Sequence, residues 1–228
     1  MRKFVRNIFR SIALWVLPDS DRFRFLAYKP KFEAWRKTQL GKHPIFTERT
    51  EMYDFINRDI IGDQAILYLE FGVFEGESIK YFAGIHNNTA SKFVGFDTFE
   101  GLPEDWNEFS RSLTSKTFST GGMIPETTDD RISFVKGLFQ QTLPGFLDQL
   151  NSTSQLVIHN DSDLYSATMY VLSRANDVIV PGTIVIFDEF YSPLHEFRGF
   201  EDYCSAYMRN YEVIASTEGH GKVAVRLL

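Results

Sequence analysis

Short apolar runs and stretches of helical spacing take turns along most of this chain. The runs Ala65–Leu69, Lys92–Phe96, Ile132–Val135, Leu156–Ile158 and Thr183–Phe187 predict five strands. Helices are predicted near Ser78–Gly84 and over Ser166–Val178. Phe200–Asn210 predicts another, and Tyr211–Ala215 and Val223–Leu227 predict two closing strands joined by a Gly219/Gly221 turn. Upstream, Met52, Phe55, Ile56 and Ile60 fall on one side of a helix over Thr47–Ile61, with Thr47 as candidate N-cap and Gly62-Asp63 as its end. Strands alternating with helices predict an α/β fold with a mostly parallel sheet.

Two segments break the pattern. Residues 98–130 are long, polar and glycine-containing, which predicts a functional loop with little regular structure. Residues 19–46 are basic and aromatic, with Pro30 and Pro44 as punctuation, and read as an irregular lid or linker. Ahead of them, residues 2–17 suit an amphipathic helix with Arg2, Lys3, Arg6 and Arg10 early and an apolar run before Pro18. The run is too short to span a bilayer. It is suited to packing on the body or a second subunit (a homo-oligomer), to peripheral membrane contact, or to a signal, although no small-residue cleavage site follows.

Composition changes the picture at one point. The net charge of −6 divides into +8 over residues 1–43 and −14 over the rest. An acidic body repels phosphates, which excludes general nucleic-acid binding. The domain division is a basic N-terminal arm or lid over 1–46 and an α/β domain over 47–228. The single cysteine, Cys204, cannot form an internal disulfide and fits a reducing, cytoplasmic setting.

The candidate chemistry sits at strand ends. Asp161 and Asp163 follow one predicted strand, and Asp188 and Glu189 follow the next. A crossover helix between parallel strands brings both ends to one edge, where ligands bind. Carboxylates gathered there repel each other unless a hard cation or shared protons offset the charge. Nearer the N-terminus, the first strand runs into Glu70-Phe71-Gly72-Val73-Phe74-Glu75-Gly76-Glu77-Ser78, a turn through which a ligand can approach the backbone. Asp97 ends the next strand, placed to accept ribose hydroxyls, or else is a solvated strand end. The acids crowding this turn disfavour a pyrophosphate. S-adenosylmethionine carries a sulfonium and no phosphate, so charge favours it over NAD.

These segments resemble the class I S-adenosylmethionine-dependent O-methyltransferases of the macrocin (TylF-like) group. The likeness rests on EFGVFEGES (70–78), GFDTFEGLPEDW (95–106), FVKGLFQQTLP (134–144), HNDSDLYSAT (159–168) and PGTIVIFDEF (181–190), in order. It implies a Rossmann-like doubly wound sheet of seven strands, the last antiparallel. It implies cofactor binding by Glu70, Gly72, Gly76, Ser78, Asp97 and Thr98. It also implies magnesium held by Asp161, Asp188 and Glu189, with Asp163 as general base, and a sugar-bearing small molecule or glycan as acceptor. Asn160 departs from the family, where an apolar strand residue is usual, as does Asp188-Glu189, where many members have Asp-Asp.

The same residues have plainer readings. The acids can be solvated strand-end caps, and Asp163 can cap the following helix. His159 reads as a buried histidine with a backbone partner, and His195 as a loop residue in reach of substrate. Trp106 either anchors its loop or stacks on sugar or adenine. A nucleotide-dependent oxidoreductase and a non-catalytic binding protein remain as alternative functions.

Overall fold

A computed structural model describes residues 21–107 and 112–228. At its centre is an eight-stranded sheet of order β1-β9-β10-β8-β7-β2-β3-β6. The strands are β1 (Ile45–Phe46), β2 (Ile66–Phe71), β3 (Lys92–Asp97), β6 (Ile132–Lys136), β7 (Gln155–Asn160), β8 (Ile184–Phe187), β9 (Tyr211–Thr217) and β10 (Val223–Leu227). The two-residue strands β4 (Trp106–Asn107) and β5 (Ser112–Leu113) form a separate hairpin. Strands β8, β7, β2, β3 and β6 run parallel, and β10 is antiparallel to both β8 and β9. The predicted sheet is therefore present, with the antiparallel last strand and one added edge strand.

Burial on both faces explains the continuous apolar runs. All six residues of β2 are buried. Leu67, Leu69 and Phe71 pack into one helical layer, and Ile66 and Tyr68 into the other. The first layer holds α1 (Asp21–Gln39), α4 (Phe139–Asp148), α5 (Tyr165–Arg174) and α6 (Glu196–Ala206). The second holds α2 (Arg49–Phe55), continued by a π-helical turn over Ile56–Ile61, and α3 (Glu77–Ile85).

Several local expectations need correction. Residues 21–39 are a helix rather than irregular, and they carry the buried Phe32 and Trp35 into the core. The Trp35 indole N–H donates to the Tyr211 hydroxyl at 2.9 Å. The N-cap of α2 is Glu48, in a capping box with Glu51, rather than Thr47. Helix α4 was not predicted, because Pro144 and Gly145 lie inside it. Pro144 has no N–H for the Gln140 carbonyl, and the Tyr170 hydroxyl lies 3.5 Å from that oxygen instead. Helix α6 begins at Glu196, four residues ahead of its predicted start.

The long 98–130 segment contains only β4, β5 and an isolated bridge between Glu100 and Ser119 among its described residues. The predicted helix over residues 2–17 lies outside the described residues. No helix among those described is long and apolar enough to cross a membrane.

Candidate active site

The chain reverses its direction of travel across the sheet between β2 and β7, which are neighbours although 83 residues lie between Phe71 and Gln155. Ligands bind beyond the carboxyl ends of strands at such a switch point. Here the backbones meet closely. The Gly72 amide donates to Phe96 O at 3.0 Å, and the Asp161 amide to Phe71 O at 2.9 Å. Gly72 has φ +92°, and a Cβ on it would lie 1.8 Å from the Asp161 carbonyl oxygen. Only glycine fits there.

A cavity of about 300 Å³ opens over this edge. It is lined by the turn Gly72–Glu75 and by Glu77, Ser78, Asp97 and Thr98. Leu138 and Phe139 line one end, and Asp161, Asp163, Asp188 and Glu189 the other. Five of the six expected cofactor residues have a clear relation to this space. Gly72, Ser78, Asp97 and Thr98 line it, and Gly76 is the left-handed N-cap of α3 beside it. Glu70 does not line it.

Asp97 is held by backbone. Its Oδ2 accepts from the Val73 and Phe74 amides at 2.7 and 2.8 Å, and its Oδ1 from the Phe99 amide at 2.7 Å. It clamps the glycine turn and retains acceptor capacity mainly on Oδ1.

Glu70 lies beneath the cavity in a fully buried network. It accepts from the Ser78 hydroxyl at 2.9 Å and the Tyr68 hydroxyl at 3.1 Å, and it pairs with His159 Nδ1 at 3.1 Å. His159 Nε2 lies 3.3 Å from the Tyr53 hydroxyl and 3.7 Å from Asp188 Oδ1. His159 is buried, as expected, but its partners are side chains rather than backbone. Burial opposes its charge, yet donating toward the Asp188 and Glu70 carboxylates raises its pKa to about 10. It is an imidazolium beneath the acids.

Asp188 has a second cation. Lys222 Nζ lies 2.5 Å from its Oδ2 and 3.2 Å from its carbonyl oxygen. Burial alone would push the Asp188 carboxyl up, but His159 and Lys222 hold it well below the usual range. Asp161 goes the other way. Burial and the nearby charge of Asp188 push it well above the usual carboxylate range.

Ligand atoms of His159, Asp161 and Asp188 all lie within 4.8 Å of one another. Glu189 lines the same cavity but stands outside that group. Both ring nitrogens of His159 already face partners, Nδ1 the Tyr68 hydroxyl and Glu70, and Nε2 the Tyr53 hydroxyl. Two carboxylates are hard oxygen donors of the kind magnesium takes, so the set fits that ion through Asp161 and Asp188.

Asn160 holds the loop behind the acids. Its amide donates to Thr168 Oγ1 at 3.0 Å and to Glu196 Oε1 at 3.1 Å, and Glu196 Oε2 accepts from the Glu189 amide at 2.8 Å. Asp163 lines the cavity in a left-handed backbone conformation, φ 60°. It is not the N-cap of α5, which is Leu164. Trp106 is buried against Leu164 and Ala167 and stacks on His195 at 5.5 Å. Neither ring lines the cavity, so Trp106 anchors its loop and His195 backs it.

Sequence reasoning missed Tyr53, Glu196, Lys222 and Arg49. Lys222 carried a signal, as the one charged residue between the Gly221 turn and the apolar run of β10.

The sequence profile of the methyltransferase domain family matches residues 69–190. The chain belongs to that family. Among curated members it is 28% identical to an 8-demethyl-8-(2,3-dimethoxy-alpha-L-rhamnosyl)-tetracenomycin-C 4'-O-methyltransferase of Streptomyces olivaceus, over 58% of this chain and 57% of that one. It is 32% identical to the mycinamicin III 3''-O-methyltransferase of Micromonospora griseorubida, over 57% of this chain and 59% of that one. The match thus spans less than two thirds of these relatives. Among solved structures, the calicheamicin methyltransferase CalS11 superposes with a TM-score of 0.61 at 21% identity, covering 95% of this chain and 89% of its own. The O-methyltransferase NovP gives 0.59 at 21%, covering 78% of each. Both likenesses are of fold.

Proposed function

We propose that this methyltransferase-family chain is an S-adenosylmethionine-dependent O-methyltransferase acting on a hydroxyl of a sugar-bearing or polyhydroxylated small molecule. The observation that carries the reading is one cavity in which the glycine turn meets Asp161, Asp163 and Asp188. The turn admits a ligand to the backbone, and the acids suit a sulfonium and repel a pyrophosphate. The names of both curated relatives, which are O-methyltransferases of glycosylated natural products, support the choice of acceptor.

In the reaction, an acceptor oxygen attacks the methyl carbon in line with the carbon–sulfur bond. That bond's electron pair stays on sulfur, giving S-adenosylhomocysteine, and the hydroxyl proton goes to Asp163. Asp97 holds the turn in shape. The Glu196–Asn160 pair fixes the backbone that presents Glu189. Asp161 and Asp188, with Glu189 at the rim, would hold a divalent cation, which when bound supplies a Lewis acid that lowers the pKa of a hydroxyl.

Calorimetric titration of S-adenosylhomocysteine and of NAD, each with and without Mg²⁺, tests the reading. Binding of S-adenosylhomocysteine alone is expected, followed by transfer of labelled methyl to glycosylated acceptors. Binding of NAD, or of neither by folded protein, sinks it.

A further inference from the structure

Among the described residues lining the cavity, Arg49 is the only basic one, against seven carboxylates. It is the first residue of α2, upstream of the segment that matches the family. Its Nη2 lies 3.0 Å from Glu77 Oε2, over the first turn of α3 and next to the glycine turn. Both side chains are accessible, 36% and 74% exposed, so the pair is held weakly and can be exchanged.

The charges of S-adenosylmethionine pose a question that Arg49 answers. Its sulfonium and ammonium find acids throughout this cavity. Its carboxylate is repelled by every one of them. Asp161 and Asp188 stand near enough for their charge to act on Arg49. The guanidinium lies over the start of α3 beside the glycine turn, on the same cavity as Asp161 and Asp188. A planar guanidinium matches a carboxylate with two parallel hydrogen bonds.

We propose that Arg49 receives the carboxylate of the cofactor's methionine portion, exchanging Glu77 for it. This assignment rests on the cofactor reading above. Arg49 is a positioning residue: it fixes the amino-acid end of the cofactor within the cavity that Gly72 and Asp161 also line. It touches neither the methyl group nor the acceptor.

The test compares S-adenosylhomocysteine with S-adenosyl-3-thiopropylamine, which differs only in lacking the carboxylate. Both are titrated into the full chain and into Arg49→Met and Arg49→Lys. The wild type should prefer S-adenosylhomocysteine by about 10- to 100-fold, the range open to a charged two-point contact. Arg49→Met should lose that preference while binding the amine as the wild type does. Arg49→Lys, which keeps charge without the fork, should retain part of it, and it carries the test if Arg49→Met does not fold. A preference that survives both substitutions overturns the assignment. So does an equal loss of both ligands in variants that still melt cooperatively. If the wild type binds neither compound, the cofactor reading itself falls; if it binds both equally, only the role of Arg49 does.

Discussion

The two ends of the cavity hold negative charge by different means. At the glycine-turn end, Asp97 is held by three backbone N–H groups. At the acidic end, Asp188 is held by side chains, Lys222 and His159, while Asp161 is pushed up by burial and by its neighbour. Backbone donors belong to the fold and cannot leave without unmaking the turn. Side-chain cations can be exchanged for another cation or for substrate. The first end is a device of shape, and the second a device of charge whose partners can change.

The largest effect should come from the shape device. Gly72→Ala places a methyl against the Asp161 carbonyl at positive φ, so β2 and β7 must separate at the switch point. We expect a loss of about 4 kcal/mol or more in denaturant unfolding, together with loss of S-adenosylhomocysteine binding. Near-normal binding would show that the close approach is not needed.

Next, His159→Leu removes the cation shared by Glu70 and Asp188, leaving the buried Glu70 with neutral hydroxyl donors and Asp188 with Lys222, at a cost of about 3–5 kcal/mol. This variant also tests a pH dependence. The folded pKa of His159, about 10, is raised above its unfolded value. Its stabilisation is complete below about pH 6.5 and is lost as pH rises through about 10. Wild-type stability should fall along that window, and the variant should lack that part of the slope.

Lys222→Met should cost less, about 2 kcal/mol, because a solution cation can replace the ammonium beside Asp188. Mg²⁺ should therefore raise the melting temperature of this variant more than that of the wild type. Equal shifts would mean that Lys222 and the metal do not share Asp188. Asp97→Asn should be mildest, about 1 kcal/mol, since an amide oxygen still accepts two of the three N–H bonds. Its weakening of S-adenosylhomocysteine binding should be uniform across Mg²⁺ concentrations, whereas that of Asp161→Asn should depend on Mg²⁺.

Much of the fold was legible because buried parallel strands need unbroken apolar runs, and these stand out between polar helices. Helix α1 was not, since Pro30 and its charges hide the spacing of Phe32 and Trp35 that packs it on the core. The acids of the site were legible because parallel strands deliver their ends to one edge. What could not be read was who answers their charge. Asp97 and Asp188 look alike in sequence, each an aspartate closing an apolar strand. One meets the amides of a turn 23 and 24 residues earlier, and the other meets a lysine 34 residues later, just ahead of the antiparallel β10.

The sequence by itself determined the strand order's raw material, the glycine that the switch point requires, and the set of acids at the sheet edge. Period, glycine content and charge are local properties, written residue by residue. Only the tertiary structure decided that Glu70 works beneath the cavity rather than in it, that His159 is a buried cation, and that Lys222 meets Asp188 while Arg49 meets Glu77. Electrostatic partnership depends on distance through a low-dielectric interior, and that distance exists only once the chain has folded.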